Sequence, residues 1–204
     1  MKELHCAECR KTFSPTQGHN PRRFCSDNCQ LRNWRKRQRV KKAHVGHATG
    51  NNEWYTPAPL IEAARRVMGK IDLDPASSAV ANEIVRATKF YTEEDDGLAQ
   101  PWEGRVWMNP PYAQPFITQF CHRVAWFYER GEVTEAIVLI NNASETAYFQ
   151  ALMAFTGAIC FPRSRVRFWH PDKKSAPLQG QAIIYLGSQH EKFCEEFAEF
   201  GRCR

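Results

Sequence analysis

At 204 residues the chain has room for one ordinary domain and a small appendage, and its 43% hydrophobic content supports a packed core. No apolar run reaches membrane-spanning length and the N-terminus does not read as a signal peptide, so a soluble, intracellular protein is expected rather than a membrane one. Charge is uneven: residues 1–50 hold twelve Lys/Arg and three Asp/Glu, a net of +9, whereas the remainder carries −3, which together give the overall +6.

In chain order, the first feature is Cys6-x2-Cys9-x15-Cys25-x3-Cys29. Two close cysteine pairs separated by a loop match a four-thiolate tetrahedral Zn²⁺ site, and a module this short needs a metal to offset its chain entropy. Phe13 and Phe24 supply a minimal core, and Ser26 or Asp27 is placed to cap a helix opened by the second pair. His5 and His19 are possible substitute ligands that four thiols make unnecessary. The other cysteines, Cys121, Cys160, Cys194 and Cys203, are scattered and read as free thiols, as expected in a reducing compartment.

Residues 30–42 follow with Arg32, Arg35, Lys36, Arg37, Arg39, Lys41 and Lys42 around Trp34. Basic density on a helix suits phosphate contact through counterion release, although a solvated linker has the same composition. Residues 1–45 therefore form a basic zinc-finger module, 46–53 a Gly/His/Asn-rich linker, and 54–204 a second domain.

That domain opens with Trp54-Tyr55-Thr56-Pro57. Leu60, Ile61, Ala64, Val67 and Met68 share one helical face, with Thr56 as expected cap and Gly69 as stop. A strand then runs into the acidic turn Asp74-Pro75-Ala76-Ser77, and a weaker strand lies within 86–91. Asp95-Asp96-Gly97 forms another acidic turn. A buried strand over 105–108 precedes Asn109-Pro110-Pro111-Tyr112. Helices are expected over 115–130, 144–155 and 189–200, and strands over 136–140, 158–161, 166–169 and 182–186. Strand alternating with helix predicts a mostly parallel α/β sheet covered on both faces, with an antiparallel hairpin at one edge. Arg163, Arg165 and Arg167 alternate, so they could line one strand face toward phosphate. Phe168 and Trp169 can stack on a base or pack in the core.

The turn after the 105–108 strand suits methylation of an exocyclic amine. Two prolines stop the strand and stiffen the turn. The amine's lone pair is delocalised into its ring, and two acceptors on its two hydrogens draw the nitrogen toward tetrahedral geometry. The Asn109 side-chain oxygen and the Pro110 carbonyl can be those acceptors, Pro111 holds the latter in place, and Tyr112 can stack on the base.

The ordered set Trp54-x-Thr56-Pro57, Asp72-Leu73-Asp74-Pro75-Ala76-Ser77, Asp96-Gly97-Leu98 and Asn109-Pro110-Pro111-Tyr112 resembles the phage-type Dam DNA N6-adenine methyltransferases over residues 53 to about 187. The resemblance implies a class I, Rossmann-like S-adenosylmethionine (SAM) fold acting on double-stranded DNA, with the target adenine flipped into the site. It implies a phage or prophage protein in a bacterial host, with a GATC-type target. By matching motifs, Trp54, Thr56, Pro57 and Asp74, Pro75, Ala76, Ser77 line the SAM methionine and ribose, Asp96 bonds the SAM adenine, and Asn109 to Tyr112 hold the base. Arg32, Arg35, Lys36, Arg37, Arg163, Arg167 and Phe168 are the expected DNA contacts. Two departures stand out. The turn after the first strand lacks glycine, and only eighteen residues separate Ser77 from Asp96, little room for a helix and a second strand. Asp74 and Asn82 are both open as the ribose ligand. An Asp before Pro, or an isolated Asp-Gly, is also an ordinary turn former. Methylation of another planar amine (cytosine N4, an RNA adenine, a protein glutamine) and a non-catalytic zinc-dependent nucleic-acid binder remain open alternatives, as does oligomeric state.

Overall fold

The structure, a computed structural model, describes residues 4–13, 24–26, 28–30, 32–33, 54–170 and 179–204. The chain divides into two units, 1–51 and 52–204.

In the first unit, β1 (Leu4–His5) pairs antiparallel with β2 (Thr12–Phe13). The connecting turn is closed by the Cys6 N–H donating to Lys11 O (2.9 Å) and the Arg10 N–H donating to Cys6 O (3.0 Å), with Arg10 at φ 61°. Residues 28–30 and 32–33 are helical, and Ser26 Oγ accepts from the Cys29 N–H at 3.3 Å as its cap.

The second unit carries β3 (Leu73–Asp74), β4 (Lys89–Phe90), β5 (Gly104–Met108), β6 (Val133–Asn141), β7 (Ala158–Pro162), β8 (Gln181–Leu186) and β9 (Gly201–Cys203) in one sheet of order β4-β3-β5-β6-β8-β7-β9. β3, β4, β5 and β6 are mutually parallel. β8 reverses against β6, β7 reverses against β8 and so regains the first direction, and β9 reverses again. This is the mostly parallel sheet expected, with one correction. The antiparallel strand β8 lies inside the sheet between β6 and β7, and β9, which the sequence pattern did not mark, takes the edge.

Successive residues of the central strands serve opposite faces. Val106, Met108, Val138, Ile140, Ile184 and Leu186 pack under α3 (Phe116–Glu129) and α4 (Ala147–Met153). Trp107, Ile137, Leu139, Ile183 and Tyr185 pack under α1 (Ala58–Met68) and α5 (His190–Phe197). Two-sided burial explains why β6 reads as an almost unbroken apolar run. In α1 the expected face is buried, and each large aliphatic side chain there contributes about 1.5–3 kcal/mol. Thr56, though, is not its cap: Pro57 holds that position, and Thr56 is itself buried.

The eighteen-residue gap accommodates both a helix and a strand because each is minimal. α2 (Ala79–Val85) has seven residues, capped by Ser78 Oγ accepting from the Ala81 N–H, and β4 has two. The 166–169 segment is extended but forms no strand; it is held by a single antiparallel bridge between Trp169 and Tyr55. Among the described residues no helix is long and apolar enough to cross a membrane.

Candidate active site and metal centre

From β3 the chain passes to β4 on one side, then crosses back to β5 on the other. The strand order therefore reverses at β3/β5, and the crevice beyond the carboxyl ends of these two strands is the place where open α/β sheets bind ligands. The residues that follow those ends are Asp74-Pro75-Ala76-Ser77 and Asn109-Pro110-Pro111-Tyr112.

Asp74 ends β3 buried, 3% exposed. Burial raises its pKa from 3.8 to about 7, against the lowering pull of the Ala76 N–H, which donates to Oδ1 at 3.2 Å, and of the Ser77 hydroxyl. That hydroxyl is near enough to act on the carboxylate, yet Ser77 Oγ is buried without a hydrogen bond of normal geometry. A dehydrated carboxylate beside a hydroxyl without a well-formed hydrogen bond can hold a cationic, hydrogen-bonding ligand.

The missing glycine of this turn is compensated from the facing one. A Cβ on Gly97 would lie 2.0 Å from Pro75 O, so only glycine lets the Asp96-Gly97 backbone approach the Asp74-Pro75 turn this closely. Trp102 Nε1–H donates to Gly97 O at 2.8 Å and fixes it, while Asp96, at φ 52°, stands exposed at the tip. Asn82 is spent on the fold: its Oδ1 accepts from the Ala87 N–H at 2.8 Å and its Nδ2 donates to Ala87 O at 3.4 Å, closing the end of α2.

Asn109 is half-buried, and its Nδ2 donates to the carbonyl of Trp54 at 3.3 Å. A carbonyl can only accept, so this contact fixes which end of the amide is the donor and leaves Oδ1 as an acceptor. Among the described residues neither Asn109 Oδ1 nor the Pro110 carbonyl receives a hydrogen bond. Pro110 is buried and Pro111 exposed. Tyr112 is half-buried; its hydroxyl donates to Leu139 O at 3.4 Å, and burial raises its pKa.

Phe168 meets Tyr112 edge-on at 6.2 Å and is 1% exposed. It therefore has no face for a base: the expected DNA contact is corrected to a buttress behind Tyr112, and its choice between base and core falls to the core. Arg163, Arg165 and Arg167 are exposed while Val166 and Phe168 are buried, so the alternation holds in an extended segment rather than a strand. The three arginines line a cleft of about 290 Å³ with Pro57, Leu60 and Phe200. Trp54 stands beside Asn109 through its carbonyl, and Tyr55, bridged to Trp169, follows it directly; residue type pointed to Trp169 as a stacking ring but not to this backbone bridge, nor to Tyr55.

In the first unit the sulfurs of Cys6, Cys9, Cys25 and Cys29 all lie within 4.8 Å of one another. Cys6 and Cys29 are buried. Burial acts to raise the Cys6 thiol, but the N–H groups of Cys9, Cys25 and Glu8 outweigh it and bring it down to about 6, whereas the neighbouring Cys9 thiol, with burial, pushes Cys25 up to about 12. Four converging thiols of this spacing could hold a tetrahedral metal ion. Arg32 is exposed; Arg35, Lys36, Arg37 and the expected linker over 46–53 lie outside the described residues.

The chain matches the family DNA N-6-adenine-methyltransferase (Dam) over residues 43–193, from ahead of α1 into α5. No curated protein matches it. The family brings a DNA adenine substrate and SAM as methyl source, and the dehydrated Asp74 with the unpartnered Ser77 hydroxyl fits a cationic cofactor of that kind. With three quarters of its length covered by that match, the chain belongs to the DNA N-6-adenine-methyltransferase (Dam) family.

Proposed function

We propose that the protein methylates the N6 amine of an adenine flipped out of double-stranded DNA, at a GATC-type site by resemblance, in the cytoplasm of a bacterial host of phage or prophage. The observation that supports this reading is the amide of Asn109: it follows β5 at the β3/β5 switch point and its Nδ2 donates to Trp54 O, which leaves its Oδ1 and the carbonyl of the adjacent Pro110 as two acceptors for the amine. Two acceptors converging on the two amine hydrogens aim the nitrogen lone pair, and Tyr112, anchored through its hydroxyl, offers a ring for the base. Flipping is required because N6 is beyond reach in a stacked duplex.

SAM, when bound, supplies an electrophilic methyl group. Asp74 and Ser77 would hold its cationic and hydroxyl groups with Pro75 and Ala76 at the turn, Thr56 and Pro57 would line the pocket with Trp54, and Asp96 would accept from the adenine amine. No base need act before transfer; the methylated amine loses its proton afterwards to water. Arg163 and Arg167, with Arg32, Arg35, Lys36 and Arg37 of the zinc-finger module (1–45, linked by 46–53), would neutralise phosphates. A structural Zn²⁺ on Cys6, Cys9, Cys25 and Cys29 would hold that module together.

Substitutions at Asn109 test the reading. Asn109→Ala removes one acceptor and should lower kcat at least ~10²-fold while changing KM little. Asn109→Asp keeps an oxygen but loses the donor that anchors it to Trp54, so it should fall between the two. If Asn109→Ala binds SAM and DNA normally and keeps a wild-type kcat, the acceptor role is wrong.

A further inference from the structure

Both side chains of the proposed reaction are steered by one segment on the far side of the crevice. The peptide joining Trp54 to Tyr55 is planar and trans, so its carbonyl and its N–H point in opposite directions and turn together. Its N–H, on Tyr55, donates to Trp169 O at 2.9 Å, and the Trp169 N–H returns to Tyr55 O at 3.0 Å. The other end of the same peptide, Trp54 O, is the acceptor that orients Asn109. The bridge is reinforced by the rings of Tyr55 and Trp169 (centroids 4.9 Å apart) and by His170, stacked on Tyr55 and edge-on to Trp54. One residue earlier on the same segment, Phe168 backs Tyr112.

We propose that the Tyr55–Trp169 bridge is a positioning clasp for the reaction: Trp169 sets the Trp54–Tyr55 peptide plane and through it the aim of Asn109, while Phe168 holds Tyr112. The segment begins with the exposed Arg163, Arg165 and Arg167, so the stretch that would meet DNA phosphates is continuous with the one that aims the amide. The proposal rests on the reading of Asn109 as the amine acceptor. It assigns Tyr55, Phe168 and Trp169 as positioning residues that touch neither DNA base nor cofactor.

The test is a mutant cycle in the full-length protein, read by single-turnover methylation of a duplex. Trp169→Leu removes the aromatic contact with Tyr55 and keeps apolar bulk. It should lower the transfer rate about 10- to 100-fold, leave SAM affinity and the DNA KM within about twofold, and be rescued by Trp169→Phe. In an Asn109→Ala background Trp169→Leu should cost less than about threefold more, because the group it aims is gone. Equal losses in both backgrounds, a loss confined to KM, or no rescue by Phe would overturn the clasp while leaving Asn109 in place. Full activity of Asn109→Ala would overturn the reading beneath it and the clasp together. If Trp169→Leu does not fold, as judged by its melting transition, His170→Ala, which removes the ring stacked on Tyr55 and edge-on to Trp54, serves instead: it should show the same kcat-only loss, and wild-type kcat or a loss confined to KM overturns the proposal.

Discussion

Replacing Asp74 with Asn should stabilise the ligand-free protein while impairing cofactor binding, and the pH dependence distinguishes this from ordinary core damage. In the unfolded chain the carboxyl titrates near 3.8, and in the fold near 7, because burial outweighs the Ala76 N–H and the Ser77 hydroxyl. Below pH 4 both states are protonated and the fold suffers no penalty. Above pH 7 both are ionised, and the folded state carries the whole cost of a dehydrated charge. At roughly 1.4 kcal/mol per pKa unit, that cost is about 4 kcal/mol, and it develops as pH rises from 4 to 7. Asn has the same shape and can still accept from the Ala76 N–H, but its amide must find a partner, so a net gain of ~2–4 kcal/mol is expected at pH 8. For a domain of this size each kcal/mol moves Tm by roughly 2–4 °C. Thermal melts from pH 5 to 8 should therefore show a stability advantage of Asp74→Asn that widens with pH and levels off above 7. SAM should reverse the ranking: its cationic group favours the ionised carboxylate, so it should protect wild type strongly and the variant weakly, and wild-type affinity should fall as pH drops below 7. An advantage that is flat across this range, or equal protection of both proteins by SAM, would refute the argument.

Other outcomes follow from the same geometry. Purified protein should contain one Zn²⁺ per chain by elemental analysis, and Cys6→Ser should lose it and unfold the first unit without abolishing methylation of a short duplex at saturating concentration; zinc-free protein with intact folding would refute this. Deleting residues 1–50 should weaken DNA binding and flatten its dependence on salt, as measured by titration at several ionic strengths, while an unchanged slope would leave that segment without phosphate contacts. Gly97→Ala should reduce SAM affinity at least tenfold by calorimetry, because the new Cβ would meet Pro75 O at 2.0 Å and push the two turns apart. Wild-type affinity would mean that the turns do not share a ligand.

Much of this was legible in the chain because burial on both faces leaves a simple signal. β6 carries the unbroken apolar run Ala136 to Ile140, and α3 repeats Ile117, Phe120, Cys121 and Val124 at helical spacing. α2 left almost no such trace: Val85 is its one buried residue, and the signal that could have found it was Ser78, a good cap ahead of Ala-Val-Ala. β9 is three residues long and begins where Gly201 lies against the Phe161 backbone, a fit no periodicity encodes. The turns at 74–77 and 109–112 were readable from residue type. Their adjacency, and the carbonyl of Trp54 holding Asn109 across 55 positions, depend on strand order and on backbone, to which side-chain identity is blind.

The placement of β8 also constrains how the molecule can be made. β6 pairs with β8 through six residues, Ala136 to Asn141 against Leu186 to Gln181, and β7 reaches the sheet only through β8. Until residue 186 has left the ribosome, the nine-residue strand β6 is an open, hydrophobic edge and β7 has no neighbour on that side. Synthesis from the amino end can assemble the β4-β3-β5-β6 half with its proposed cofactor turns, but this half is a template for strand addition from other nascent chains. A stop codon anywhere between 142 and 180 should therefore yield aggregates rather than a smaller working enzyme, and ribosome stalling in that window should be more damaging to yield than stalling before β6 has emerged.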